Sequence, residues 1–191
     1  MNNTAKIIIV LTLITIIAGG VLAVLDSFTR PKIEAYQNNL KNEAVAEVLP
    51  KNVKIETIEK DAMTFYKATK DNDVVGYAFQ VSGGGYQSEL VLMVGVSADF
   101  SEILGAKIIS QVETPGLGTK IEDDASNKED PAWFINQFKG VKTVPAITYV
   151  KNAKPSKATE IQAITGATIS SSAVVDILNK GIKEAKALLN K

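Results

Sequence analysis

Nineteen consecutive residues without a charge, Ile7 to Leu25 (IIIVLTLITIIAGGVLAVL), open this 191-residue chain. At about 1.5 Å rise per residue, a helix of that length spans roughly the 30 Å hydrocarbon core of a bilayer. Its polar members, Thr12 and Thr15, can bond back to helix carbonyls and do not oppose insertion. A core helix of a soluble domain is shorter and keeps a polar face. The competing reading is a signal peptide, because Val21-Leu22-Ala23 offers small residues at a cleavage-like spacing. A single Lys6 ahead of the run, and a run long for such a signal, favour an uncleaved anchor. Lys6 stands on one side, and Arg30 and Lys32 on the other. Charge therefore leaves the orientation open and weakly opposes an outside C-terminus. Gly19-Gly20 either admits a neighbouring membrane helix closely or is simply tolerated, and tolerance is the simpler reading.

The chain contains no histidine and no cysteine. That excludes a thiolate nucleophile, a disulfide, a Cys-ligated iron–sulfur cluster and any His- or Cys-bound zinc or haem. Triads and proton transfers that use His are excluded as well. Lys and Arg number 21, as do Asp and Glu. Such balance speaks against a nucleic-acid partner, which needs a basic face. Chemistry here must come from carboxylates, Lys, Tyr and hydroxyls, or from a borrowed cofactor.

After the anchor (1–25), a connecting helix is expected over 26–50, with Pro31 in its first turn and Pro50 at its stop. Residues 51–191 form the third segment. Within it Val53–Glu59, Met63–Thr69, Val74–Val81, Leu90–Ser97 and Ile103–Val112 read as successive strands. Asp71-Asn72-Asp73 and Ala98-Asp99 read as hairpin tips, so the sheet is expected to be antiparallel. Pro131–Phe138 reads as a short helix with Trp133, Phe134 and Phe138 toward the core, and Ile147–Val150 as a further strand. Ile169–Leu189 is an amphipathic helix with Val174, Ile177, Leu178, Ile182, Ala185, Leu188 and Leu189 on one face. The architecture is α+β: one transmembrane helix, an antiparallel sheet and a C-terminal helix.

Four stretches could carry chemistry. Glu122, Asp123 and Asp124, with Glu129 and Asp130, lack the carboxylate alternation and central Gly of a calcium loop and read as a solvated loop. No metal site is expected. Gly83-Gly84-Gly85 requires that backbone bend or approach something closely. Thr114-Pro115-Gly116-Leu117-Gly118-Thr119 is a tight loop poor in side chains, either a ligand loop exposing backbone N–H groups or a plain turn. Ile164 to Ser172 (ITGATISSS) precedes the terminal helix. Ser170, Ser171 and Ser172 are N-cap candidates there, and the helix start is a natural seat for phosphate, or else just a capped terminus.

Together these stretches resemble a family. Gln162–Thr168 is similar to the Asp-x-x-(Ser/Thr)-Gly-Ala-Thr signature of covalently flavinylated FMN-binding domains. Gly76-Tyr77, Gly85-Tyr86, Gly95, Glu113-Thr114-Pro115-Gly116-Leu117-Gly118 and Trp133…Phe138 follow the order seen in the G subunit of Rnf-type ferredoxin:NAD oxidoreductases. A related pattern marks the C subunit of the sodium-translocating NADH:quinone oxidoreductase. The resemblance implies an FMN-binding domain over 51–191, with FMN joined through its phosphate to Thr168 by a separate, FAD-using flavin transferase. It implies a site made of Thr165, Gly166, Ala167, Thr168 and Ser170, with Gly85, Tyr86, Glu113, Thr114, Gly116, Leu117 and Gly118, Tyr86 and Leu117 being ring contacts. No residue is expected to be catalytic on its own. The protein would relay electrons between ferredoxin and NAD while its complex moves Na⁺ or H⁺. Its partners would be the other membrane and peripheral subunits, with its own domain outside the cytoplasmic membrane. Two positions depart from the family pattern: Gln162 replaces the signature Asp, and Gln111 stands where many relatives have His. The remaining readings are an anchored scaffold module without redox function and a stand-alone extracytoplasmic flavin reductase.

Overall fold

The computed structural model describes residues 2–61 and 63–189. The chain divides into two units, Met1–Leu40 and Lys41–Lys191. Helix α1 runs unbroken over Asn3–Val48, with Pro31 in its interior. The expected connecting helix therefore has no first turn of its own, and Pro31 does not begin a helix. Pro31 removes one helical N–H, yet neighbouring hydroxyls keep to the helix. Ser27 Oγ donates to the Val24 carbonyl at 2.7 Å and Thr29 Oγ1 to that of Leu25 at 2.8 Å. Thr15 does the same to Leu11 at 2.8 Å. Every residue from Ile7 to Leu25 is exposed. A helix apolar on all faces is stable only in apolar surroundings, and this one is long and apolar enough to cross a membrane.

In the second unit, β1 (Lys54–Lys60), β2 (Met63–Lys70), β3 (Asp73–Gly84), β4 (Glu89–Ser97) and β5 (Ile103–Ser110) form one antiparallel sheet in sequence order. The β2–β3 tip turns on Asp71 and Asn72, both at positive φ (52° and 73°), the conformation that a two-residue hairpin favours. Side chains alternate across the sheet as the two-residue period requires. On β4, Leu90, Leu92, Val94 and Val96 enter the larger core, whereas Met93 joins Ala68 and Ala78 on the opposite face. That second face is covered by the last turns of α1, through Ala44, Val45 and Val48. The larger core is closed by α2 (Trp133–Asn136), the strand pair β6 (Thr148–Val150) and β7 (Glu160–Gln162), and α3 (Thr168–Leu189).

Glycines set how closely these layers meet. A Cβ on Gly95 would lie 2.1 Å from the Val48 carbonyl oxygen, and one on its cross-strand partner Gly105 would lie 3.0 Å from Val48 Cα. On the other face, a Cβ on Gly83 would meet Ile177 Cγ1 at 2.7 Å and one on Gly181 would meet Val81 Cγ1 at 2.2 Å. The expected close approach at the glycine triplet is therefore made, by α3.

Some boundaries differ from expectation. Strand β5 stops at Ser110 rather than Val112, because Val112 N–H is taken by Ser88 Oγ at 2.9 Å. Strand β7 was not expected: three residues are too few to show a period, and it pairs in parallel with β6. The short helix is confined to Trp133–Asn136, while Phe134 and Phe138 are fully buried and Trp133 partly so.

The contact at Val48 yields a test. Gly95→Ala should lower stability by roughly 1–3 kcal/mol, since the new methyl meets backbone that cannot move aside. Gly84→Ala, with nothing within 4 Å, should change it by about 0.5 kcal/mol or less. Urea unfolding of the two variants side by side measures both.

Candidate functional site

Three segments distant in sequence meet at one end of the sheet. They are the β3–β4 connection around Gly85–Ser88, the loop after β5 from Gln111 to a 3-10 turn at Gly118–Ile121, and the start of α3. What joins them is Glu113, only 3% exposed. Its Oε1 accepts the backbone N–H of Gln87 at 2.9 Å and of Ser88 at 3.2 Å. Its Oε2 accepts the Ser170 hydroxyl at 2.6 Å. Burial by itself would raise the Glu113 pKa. The hydrogen bonds from Ser170, Gln87 and Ser88 outweigh burial and hold it below the usual carboxylate value. Glycines flank the carboxylate on both sides. A Cβ on Gly85 would lie 2.5 Å from Oε1, and one on Gly118 would lie 2.8 Å from Oε2.

The loop holds itself in shape by local bonds. Gly116 adopts φ +73°, and its N–H donates to Thr119 Oγ1 at 3.0 Å. The Leu117 N–H reaches the Thr114 carbonyl at 3.2 Å, and Thr114 Oγ1 donates to Gln87 Oε1 at 3.0 Å. Gln111 braces the entry. Its Oε1 accepts the Glu113 N–H at 2.8 Å and its Nε2 donates to Glu122 Oε2 at 3.0 Å.

Gly166 (φ +85°) turns the chain into α3, whose first residue is the half-buried Thr168. The serines that follow lie within the helix and do not act as N-caps, which corrects the expectation from sequence. Ser170 is spent on Glu113. Ser171 Oγ accepts the Ile164 N–H at 3.0 Å and donates to the Ala167 carbonyl at 2.9 Å, and Ser172 donates to the Ile169 carbonyl. The first-turn N–H groups have no partner within the helix, and the positive end of the helix dipole lies with them.

In front of this turn is a cavity of about 360 Å³, within the range of small-molecule sites. Thr114, Leu117 and Gly118 line it from the loop, Tyr86 from the β3–β4 connection, and Gly166, Ala167, Thr168, Ile169 and Ser170 from the helix start. Four residues expected at the site do not line it. Glu113 and Gly85 lie behind the wall, and Gly116 faces a separate cavity that Lys120, Glu122, Asp123 and Asp124 also line. Thr165 is exposed and bonds Asn152 Oδ1 at 3.1 Å. Ile169 was missed, although an apolar side chain on the first turn outside the buried stripe is a readable signal. Tyr86, Leu117 and Ile169 are 63%, 48% and 59% exposed, so the mouth is apolar. No Lys, Arg, Asp or Glu is among the described residues that line the cavity.

The acidic run does not all face solvent. Asp124 is 6% exposed. The Ser126 hydroxyl chiefly, then the Trp133 indole at 3.2 Å and Lys120 at 3.2 Å, hold its carboxyl at about 2. Among the described residues, no group of three or more carboxylates is placed to hold a metal ion.

This arrangement suits a ligand with an apolar part, facing Tyr86, Leu117 and Ile169, and an anionic group, facing the helix start. Known proteins point the same way. The model of the FMN-binding domain family matches residues 85–183. The G subunit of the ion-translocating oxidoreductase complex of Methanosarcina acetivorans is 31% identical over 97% of this chain and 96% of its own length. Its counterpart in the proton-translocating ferredoxin:NAD(+) oxidoreductase complex of Clostridium ljungdahlii is 33% identical over 92% of this chain and 85% of its own. That of the Na(+)-translocating ferredoxin:NAD(+) oxidoreductase complex of Acetobacterium woodii is 30% identical over 93% and 89%. The fold matches the crystal structure of Shewanella oneidensis NqrC with TM-score 0.54 at 22% identity, over 71% of this chain and 65% of that one. The chain thus belongs to the FMN-binding domain family, among the G subunits of Rnf-type ion-translocating oxidoreductase complexes.

Proposed function

We propose that this chain carries FMN bound covalently through its phosphate to Thr168 Oγ1. In this reading it relays electrons between ferredoxin and NAD within an ion-translocating complex. Helix α1 anchors it, and the domain lies on the outer side of the membrane with the other subunits as neighbours. The observation that carries the reading is the place of Thr168. It is the first residue of α3, at the edge of an apolar cavity, with first-turn N–H groups beside it.

One feature of this chain favours attachment over loose binding. A free phosphate monoester carries close to two negative charges at neutral pH, and the described lining provides no cation to meet them. A phosphodiester to Thr168 carries one charge, which backbone N–H groups and the helix dipole can meet. Glu113 is engaged by three donors and is not free to act as a base toward Thr168. With no His or Cys in the chain, activation of the threonine falls to an external flavin transferase. When bound, the flavin supplies the electron-carrying chemistry, and the protein supplies position and electrostatics. The coupling ion stays open between Na⁺ and H⁺, since the relatives from Clostridium ljungdahlii and Acetobacterium woodii differ in it.

Chain expressed with its flavin transferase, purified and denatured, should show one FMN adduct by mass and fluoresce in a gel. Thr168→Ala should lose both signals while its stability changes by less than about 1 kcal/mol. Unmodified wild-type chain under those conditions would defeat the assignment.

A second expectation concerns the carboxylate that shapes the wall. Glu113→Gln should cost roughly 1–3 kcal/mol at pH 7, because an amide cannot accept from all three donors at once. The folded pKa of Glu113 lies below its ordinary 4.5. Its contribution is therefore complete above that pH and is lost as pH falls through the depressed value. Urea midpoints of wild type and variant should converge in acid, and a gap that is constant with pH would rule this out.

A further inference from the structure

The Glu113 carboxylate stands one layer behind the cavity wall. Its Oε2 bonds the hydroxyl of Ser170, which lines the cavity, and lies against Gly118, which also lines it. The described lining has no charge of its own. The carboxylate is thus a fixed negative charge, nearly dry, just behind a wall that carries none. Fields act at greater strength in such surroundings than in water.

We propose that Glu113 is a positioning residue that also sets the reduction potential of the group held in this cavity, by its charge and without touching that group. The inference rests on the FMN reading above. Reduction adds an electron, delivered by whichever donor is present, and a fixed negative charge nearby disfavours the reduced form. Glu113 therefore makes the bound flavin a stronger reductant than the same cavity would with a neutral residue in its place. The backbone donors of Gln87 and Ser88 and the Ser170 hydroxyl keep the carboxylate ionised and fixed, so its field does not fluctuate with the loop.

The test compares full-length wild type, Glu113→Asp, Glu113→Gln and Glu113→Ala, each expressed with its flavin transferase. Adduct is quantified by mass, and the flavin absorbance is titrated with dithionite in the presence of redox mediator dyes. At a fixed poise the two neutral variants should show an oxidised-to-reduced ratio about tenfold lower than wild type, on the order of a 59 mV rise for one electron. Glu113→Asp, which keeps the charge, should stay within about twofold of wild type while losing stability. That contrast separates charge from loosened structure. A wild-type ratio in the neutral variants overturns the proposal, as does an equal shift in Glu113→Asp, or the failure of both neutral variants to carry flavin. Absence of adduct on the wild-type chain instead overturns the attachment reading.

Discussion

A buried carboxylate is tolerated only where enough donors replace the water it has lost. Here the donors come from separate places, and each is drawn in by the same side chain. The β3–β4 connection is held to Glu113 by two backbone N–H groups, and α3 by the Ser170 hydroxyl. The loop that follows Glu113 folds back so that Gly118 lies against the Glu113 side chain. Remove the charge and the segments keep their local bonds and the packing of α3 on the sheet, but lose the polar link that fixes their ends to one another. The cavity is what remains between segments fixed in this way.

The rest of the unit lets that cluster form by bringing backbone close to backbone. The sheet packs on both faces, with α1 near Gly95 and Gly105 and α3 near Gly83 and Gly181. Larger residues at Gly83 and Gly181 would push α3 outward, and the Ser170 hydroxyl, on that same helix, would move away from Glu113. The precision of a 2.6 Å bond therefore depends on layers that touch at van der Waals distance over most of the helix.

Much of this was readable from the residues. All five sheet strands and the terminal helix follow from hydrophobic period and turn residues, since both are local properties. The packing roles of Phe134 and Phe138 were readable for the same reason. The role of Glu113 was not. In sequence it is an acid beside a Pro-Gly loop, and only donors far along the chain decide that it is buried. Asp124 deceived in the same way: within an acidic run it looks solvated, yet the Trp133 indole and Ser126 bring it inside. The serines after Thr168 looked like caps because the composition fits. The helix starts before them, at Thr168, and a shift of three residues turns a cap into a cross-link. The family resemblance pointed to Thr168, which stands as the first residue of α3 on the cavity lining.

The bond between Glu113 and Ser170 joins residues 57 apart in the chain. Until α3 has docked, Thr168 has no cavity beside it, because the loop and the β3–β4 connection supply the other walls. Any factor that recognises this corner of the molecule by shape thus meets it only after the sheet, the loop and the helix have assembled. Under the proposed attachment at Thr168, loading follows folding, and a chain that carries the cofactor is one that has finished folding.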